Sequence, residues 1–181
     1  CALDVVGAEF VRDVTNGEMV VIDQDGLQSM TWSLGEKESL CAFEFIYFAR
    51  PDSLLSGRSF HDVRIHLGKY LAKEHPAPAE MVIAVPDSGT PAAIGFASEA
   101  GTPFSEGLIK NRYIGRTFIQ PTQSMREIGV KVKLNPIRDA IRGRKIVVLD
   151  DSVVRGTTSR QIVKLLKEQG AREVHFRVSS P

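Results

Sequence analysis

The sequence predicts an α/β protein built on a parallel sheet flanked by helices, preceded by a small antiparallel β segment. Three observations carry that expectation. Two short apolar runs, 81–85 and 146–149, each lead into a small polar loop and then into a helical pattern. A third run at 173–178 follows the second helix and completes a strand–helix–strand unit. The first 40 residues lack this rhythm, with turn pairs Asn16-Gly17 and Asp25-Gly26 separating short alternating runs.

Each element has its own signal. Residues 9–14, 19–23 and 27–32 alternate and read as strands of an antiparallel meander. Residues 41–48 are strongly apolar and aromatic, and Arg50-Pro51-Asp52-Ser53 breaks that run. Ser59 reads as the cap of a helix in which Phe60, Val63, Leu67 and Leu71 share one face. The strand at 81–85 leads through Pro86-Asp87-Ser88-Gly89-Thr90-Pro91 to a small-residue helix at 92–100, and 104–109 reads as a further strand. The run 146–149 is a strand buried on both faces. Thr158 or Ser159 then caps a helix with an Ile162, Val163, Leu165, Leu166 stripe, which Gly170 ends. The expected division is 1–40 and 41–181.

Composition narrows the function classes. With 181 residues, 43% hydrophobic and 25% charged, the chain can bury one good core. No apolar run approaches the roughly 18 residues that span a bilayer, no signal peptide is seen, and two cysteines argue against a disulfide framework. The expected compartment is the cytoplasm, with no membrane partner. A net charge of +1 gives no support for nucleic-acid binding. The charge is uneven, however: from Lys110 to Lys145 there are ten Lys/Arg against two acids. Beside a phosphate loop, that basic stretch reads as a cradle for a polyphosphate.

The chemistry concentrates after the 146–149 strand. Asp150 and Asp151 close the strand and can accept hydrogen bonds from vicinal hydroxyls or hold Mg²⁺. Ser152, Val154, Arg155, Gly156, Thr157, Thr158 and Ser159 then form a loop at a helix N-terminus. Its backbone N–H groups suit a phosphate dianion, and Gly156 allows close approach. A ligand with a diol at one end and a phosphate at the other fits both halves. The loop carrying Asp87, Ser88 and Gly89 repeats the strand–loop–helix logic and is assigned the opposite end of that ligand, a pyrophosphate. Residues 110–121 mix Lys110, Arg112 and Arg116 with Tyr113, Ile114, Phe118 and Ile119, a composition suited to a lid that closes over substrate.

These stretches resemble a known family. Residues 146–159 are similar to the phosphoribosyl-pyrophosphate (PRPP) signature of type I phosphoribosyltransferases. Together with 110–121, Pro86-Asp87-Ser88 and the run from Cys41 through Ser53, they resemble the glutamine PRPP amidotransferases (amidophosphoribosyltransferases). The resemblance implies the first committed step of purine synthesis, in which PRPP, glutamine and water give 5-phosphoribosylamine, pyrophosphate and glutamate. It implies Mg²⁺ at Ser88, Asp150 and Asp151, pyrophosphate contact by Lys133, and catalytic roles for Lys133, Arg116 and Tyr113. It also implies a homo-oligomer, and ammonia delivered from an Ntn-type glutaminase domain of which 1–40 would be the end. Cys1 is therefore not expected to be the glutaminase nucleophile, and the chain reads as truncated at its far end.

Cys41 stands where the iron–sulfur branch of such enzymes places a [4Fe–4S] ligand, with an inert buried cysteine as the other reading. Two further functions stay open at this point. One is a non-catalytic PRPP sensor of the same fold, and the other is a salvage transferase, for which no base-recognition segment is found.

Overall fold

A computed structural model of the chain describes residues 2–33, 39–55, 57–111 and 133–180. They group into two units, Cys1–Ala42 and Phe43–Pro181. The first holds a short helix, α1 (Ala2–Val5), and a hairpin of β1 (Glu18–Asp23) and β2 (Gly26–Thr31). Asp23 pairs with Gly26, so the two-residue turn is Gln24-Asp25, one position earlier than the Asp25-Gly26 pair suggests.

The strand expected at 9–14 does not form. Side-chain bonds tie this stretch down instead of a ladder. Arg12 forks onto the Glu18 carboxylate at 2.9 and 2.5 Å, and the Thr15 N–H donates to the same group at 2.8 Å. Arg12, with Ser29 and Thr15, holds the Glu18 carboxyl well below the usual carboxylate range.

In the second unit, β3 (Leu54–Leu55) and β4 (Arg58–Ser59) make a small hairpin before α2 (Phe60–Glu74). A parallel sheet follows, with β5 (Met81–Ala84) beside β8 (Lys145–Asp150) and β8 beside β9 (Glu173–Val178). The helices α3 (Thr90–Ala100), α4 (Arg138–Ile141) and α5 (Thr157–Glu168) connect them. The strand expected over 104–109 is divided. Phe104 makes a single parallel bridge to Val82, and β6 begins only at Leu108, pairing antiparallel with β7 as Leu108–Lys110 against Leu134–Pro136.

β5 and the middle of β8 are buried on both faces, their side chains alternating between two packed layers, whereas β9 is half-buried throughout. Met81, Ile83, Val85, Ile146 and Val148 point to one side and pack with Leu108, Leu134 and the Ile162 and Leu166 stripe of α5. Val82, Ala84, Val147 and Leu149 point to the other, against Ala72 of α2 and Ala92, Ala93, Phe96 and Ala97 of α3. The expected α2 face is shifted. Phe60, Arg64, Gly68 and Ala72 are buried, whereas Val63, Leu67 and Leu71 are only partly so. Backbone contact decides this: a Cβ on Gly68 would overlap the Ala92 carbonyl oxygen, and one on Gly95 would overlap that of Ile65. Small residues at the crossing let α2 and α3 approach more closely than leucines would. Ser59 does cap α2, accepting from the Asp62 N–H at 3.3 Å.

Arg64 is 2% exposed and reaches out of α2 to a π-helical turn, Glu44–Phe48. It donates to the carbonyls of Phe45 (2.8 Å), Glu44 (3.2 Å) and Ala49 (2.8 Å). Burial lowers its pKa and the Asp151 charge opposes that. The helical spacing of 60–72 offers only an apolar stripe with one cation in it, so this clamp is not legible from sequence.

Candidate active site

Parallel pairing places the two loops of interest side by side. Ala84 pairs with Leu149, and the Val85 N–H donates to the Leu149 carbonyl at 2.8 Å, so β5 and β8 end at one sheet edge. That is where open α/β sheets bind ligands. A cleft of about 490 Å³ opens there. Of the residues expected at a ligand site, Ser88, Lys133, Asp150, Asp151, Ser152, Val154, Arg155, Gly156, Thr157, Thr158 and Ser159 all line it.

The β8 loop presents its groups in two ways. Asp150 accepts the Asp151 N–H at 2.9 Å, and Asp151 accepts the Ser152 hydroxyl at 2.7 Å. Burial and the adjacent Asp151 carboxylate push Asp150 up to about 7. Beyond them the helix cap differs from expectation. Neither Thr158 nor Ser159 caps α5; the helix starts at Thr157, and Gly156 takes the cap position with φ +69°. The Ser159 hydroxyl donates back to the Gly156 carbonyl at 3.1 Å. A left-handed cap with no side-chain acceptor leaves the first-turn N–H groups of α5 open to an anion.

The β5 loop is built differently. Its Pro86–Asp87 peptide bond is cis. Gly89 lies under the loop, where a Cβ would meet the Leu149 carbonyl oxygen at 2.6 Å and that of Val85 at 2.9 Å. Gly89 thus serves close approach of the loop to β8, and Ser88 faces the cleft while Asp87 does not. Asp87 instead lines a neighbouring pocket with Lys110, and the two form an ion pair at 2.5 Å.

Lys110 pairs with Leu134 at the end of the β6–β7 ladder. The Asn111 N–H donates to the Lys133 carbonyl at 2.8 Å, which holds the two strand ends together beside the cleft. The stretch beyond Asn111 expected to be a lid, with Tyr113 and Arg116, lies outside the described residues. Five lining residues carry no sequence expectation of a ligand contact, Val85, Pro86, Leu134, Val153 and Gln161, and the one with a polar side chain is Gln161, one turn into α5. Its helical spacing from Thr157 is the signal that could find it.

The donor set fits Mg²⁺ delivered with a phosphorylated ligand. Among the described residues no cluster of three or more His, Cys, Asp or Glu could cage a metal. Two carboxylates and the Ser88 hydroxyl edge one cleft, and Mg²⁺ is commonly held by one or two carboxylates plus substrate phosphates. The cost of keeping Asp150 ionised beside Asp151 is what a dication would relieve. An iron–sulfur cluster does not fit this chain by itself, since it needs about four thiolates and the chain has two cysteines. Cys41 is exposed, which removes the reading of it as an inert buried residue. Among the described residues no helix is long and apolar enough to cross a membrane.

Residues 58–179 match the phosphoribosyl transferase domain model. All 181 residues align at 59% identity with an amidophosphoribosyltransferase of Synechococcus elongatus and at 53% with one of Archaeoglobus fulgidus. The chain spans 37% and 40% of those relatives' lengths. Among solved structures, glutamine PRPP amidotransferase from B. subtilis, complexed with ADP and GMP, superposes with a TM-score of 0.89 at 52% identity. That match covers 100% of this chain and 40% of the other. The β5–β8–β9 sheet with its edge cleft and the 58–179 match agree, and the chain belongs to the phosphoribosyl transferase domain family.

Proposed function

We propose that the chain is the PRPP-binding part of an amidophosphoribosyltransferase, joining ammonia to C1 of the ribose of PRPP with release of pyrophosphate. The observation that carries this reading is the cleft that gathers Ser88, Lys133 and the whole Asp150 to Ser159 run. The open N–H groups of α5 and the hydroxyls of Thr157, Thr158 and Ser159 would take the 5-phosphate. Asp150 and Asp151 would accept from the ribose hydroxyls. Ser88 and Lys133 would face the pyrophosphate.

In the reaction the C1–O bond breaks and its electrons leave on pyrophosphate. The ammonia lone pair forms the C1–N bond, and a proton is lost from the new ammonium. The main demand on the protein is to neutralise the leaving group and exclude water, which cations and a lid serve better than a general base. Mg²⁺ held by Asp150, Asp151 and Ser88 would supply further neutralisation of the pyrophosphate. The cations Lys133 and Arg116 would supply the rest, with Tyr113 as a neutral hydrogen-bond donor. The ammonia would come from a glutaminase domain, of which 1–40 would form the last part.

The test is pyrophosphate release by the purified chain given PRPP, Mg²⁺ and ammonium. Release that requires all three supports the reading, and glutamine in place of ammonium should yield no glutamate. PRPP bound without turnover would instead favour a sensor of the same fold. No binding of PRPP at all would refute both.

A further inference from the structure

Asp87 and Lys110, both expected at the ligand, do not line the cleft. They line the neighbouring pocket that shares Pro86 with it, bonded to each other at 2.5 Å. We infer that Asp87 is a positioning residue rather than a ligand: it is the resting counter-ion that holds Lys110 away from the cleft until a pyrophosphate arrives to claim it. The inference rests on the reading of this cleft as a PRPP site and adds a role that the reading leaves unassigned.

The loop serves two pockets. Ser88 lines the cleft, Asp87 lines the neighbouring pocket, and Pro86 borders both. A carboxylate turned toward a polyanion would repel it, and turned away it can only act through a cation. Lys110 is such a cation: its side chain is 32% exposed, and it ends β6 one residue before the chain enters 112–132. Its four-carbon stem can swing without moving the backbone. The Asp87 side chain is 74% exposed, so the ion pair is weak enough to be exchanged for a doubly charged phosphate.

The experiment is calorimetry of Mg²⁺-pyrophosphate binding to the purified chain and to Asp87→Asn, Lys110→Gln and the double variant. Asp87→Asn should bind about threefold more tightly, the size expected of losing a partly exposed competing pair. Lys110→Gln should bind several-fold more weakly, and adding Asp87→Asn to it should change nothing further. A weaker Asp87→Asn, or an equal Asp87→Asn effect with and without Lys110, overturns the counter-ion role alone. A chain that binds no Mg²⁺-pyrophosphate overturns the site reading, and the counter-ion role with it.

Discussion

The loops after β5 and β8 share a frame of buried strand, short polar loop and helix, yet they use glycine in opposite ways. Gly89 has no room for a side chain: backbone oxygens of Leu149 and Val85 crowd it. Gly156 has room, since a methyl placed there would meet only the Ser159 hydroxyl oxygen, at 4.0 Å, but its φ of +69° suits few other residues. One glycine fixes a loop against its neighbour strand, and the other turns the chain so that a helix start lines the cleft. A bracing loop and a donating loop at the same edge can hold two ends of one molecule in fixed register.

The largest expected break of this contrast is Gly89→Ala. A methyl driven into two carbonyls must push the β5 loop off β8, at roughly 3 kcal/mol. Thermal unfolding should show a fall of many degrees, and a change under about 1 kcal/mol would show that the loop is not braced there.

Asp150→Asn sharpens the electrostatic half of the contrast. Burial and the adjacent Asp151 carboxylate push Asp150 up to about 7, above its ordinary value, so the folded chain holds that proton more tightly than the unfolded one. The stability this confers is complete below about pH 4 and is lost as pH rises through about 7. The Asn variant avoids that loss and should be more stable by roughly 2 kcal/mol above pH 7, and no different near pH 4. Denaturant melts at the two pH values measure it. An equal difference at both would place the effect in packing rather than ionisation.

Gly156→Ala should cost the least stability, about 1 kcal/mol, because only the left-handed backbone is penalised. Its effect should appear in the ligand instead. Affinity for ribose 5-phosphate should fall by more than the stability loss alone suggests, as the first turn of α5 tilts from the phosphate.

Much of the fold and site is legible in the sequence, and the exceptions have a common cause. The strands at 81–84 and 145–150 follow from the apolar runs Met81 to Val85 and Ile146 to Leu149, the strand at 173–178 from the alternation of Val174, Phe176 and Val178 with polar residues, and the Asp150 to Ser159 loop from its residue types in register. The departures all depend on contacts that local pattern does not encode. The buried face of α2 is not its apolar stripe, because Gly68 meets α3 through backbone to which helical periodicity is blind. Residues 9–14 alternate like a strand, but Arg12 finds Glu18 in place of a ladder partner. Hydroxyls are the usual signal of a helix cap, whereas a positive-φ glycine does the turning at α5. Gly89 has the residue type of a ligand contact, and only its distance to Leu149 reveals the bracing role.

If the two loops grip opposite ends of one ligand, half-ligands should tell them apart most directly. Ribose 5-phosphate and Mg²⁺-pyrophosphate would each be titrated into the chain, into Thr158→Val and into Ser88→Ala. A crossed pattern is expected, with Thr158→Val weakening only ribose 5-phosphate and Ser88→Ala weakening only Mg²⁺-pyrophosphate. If both variants weakened the same half-ligand, or neither weakened either, the division of labour between the loops would be contradicted.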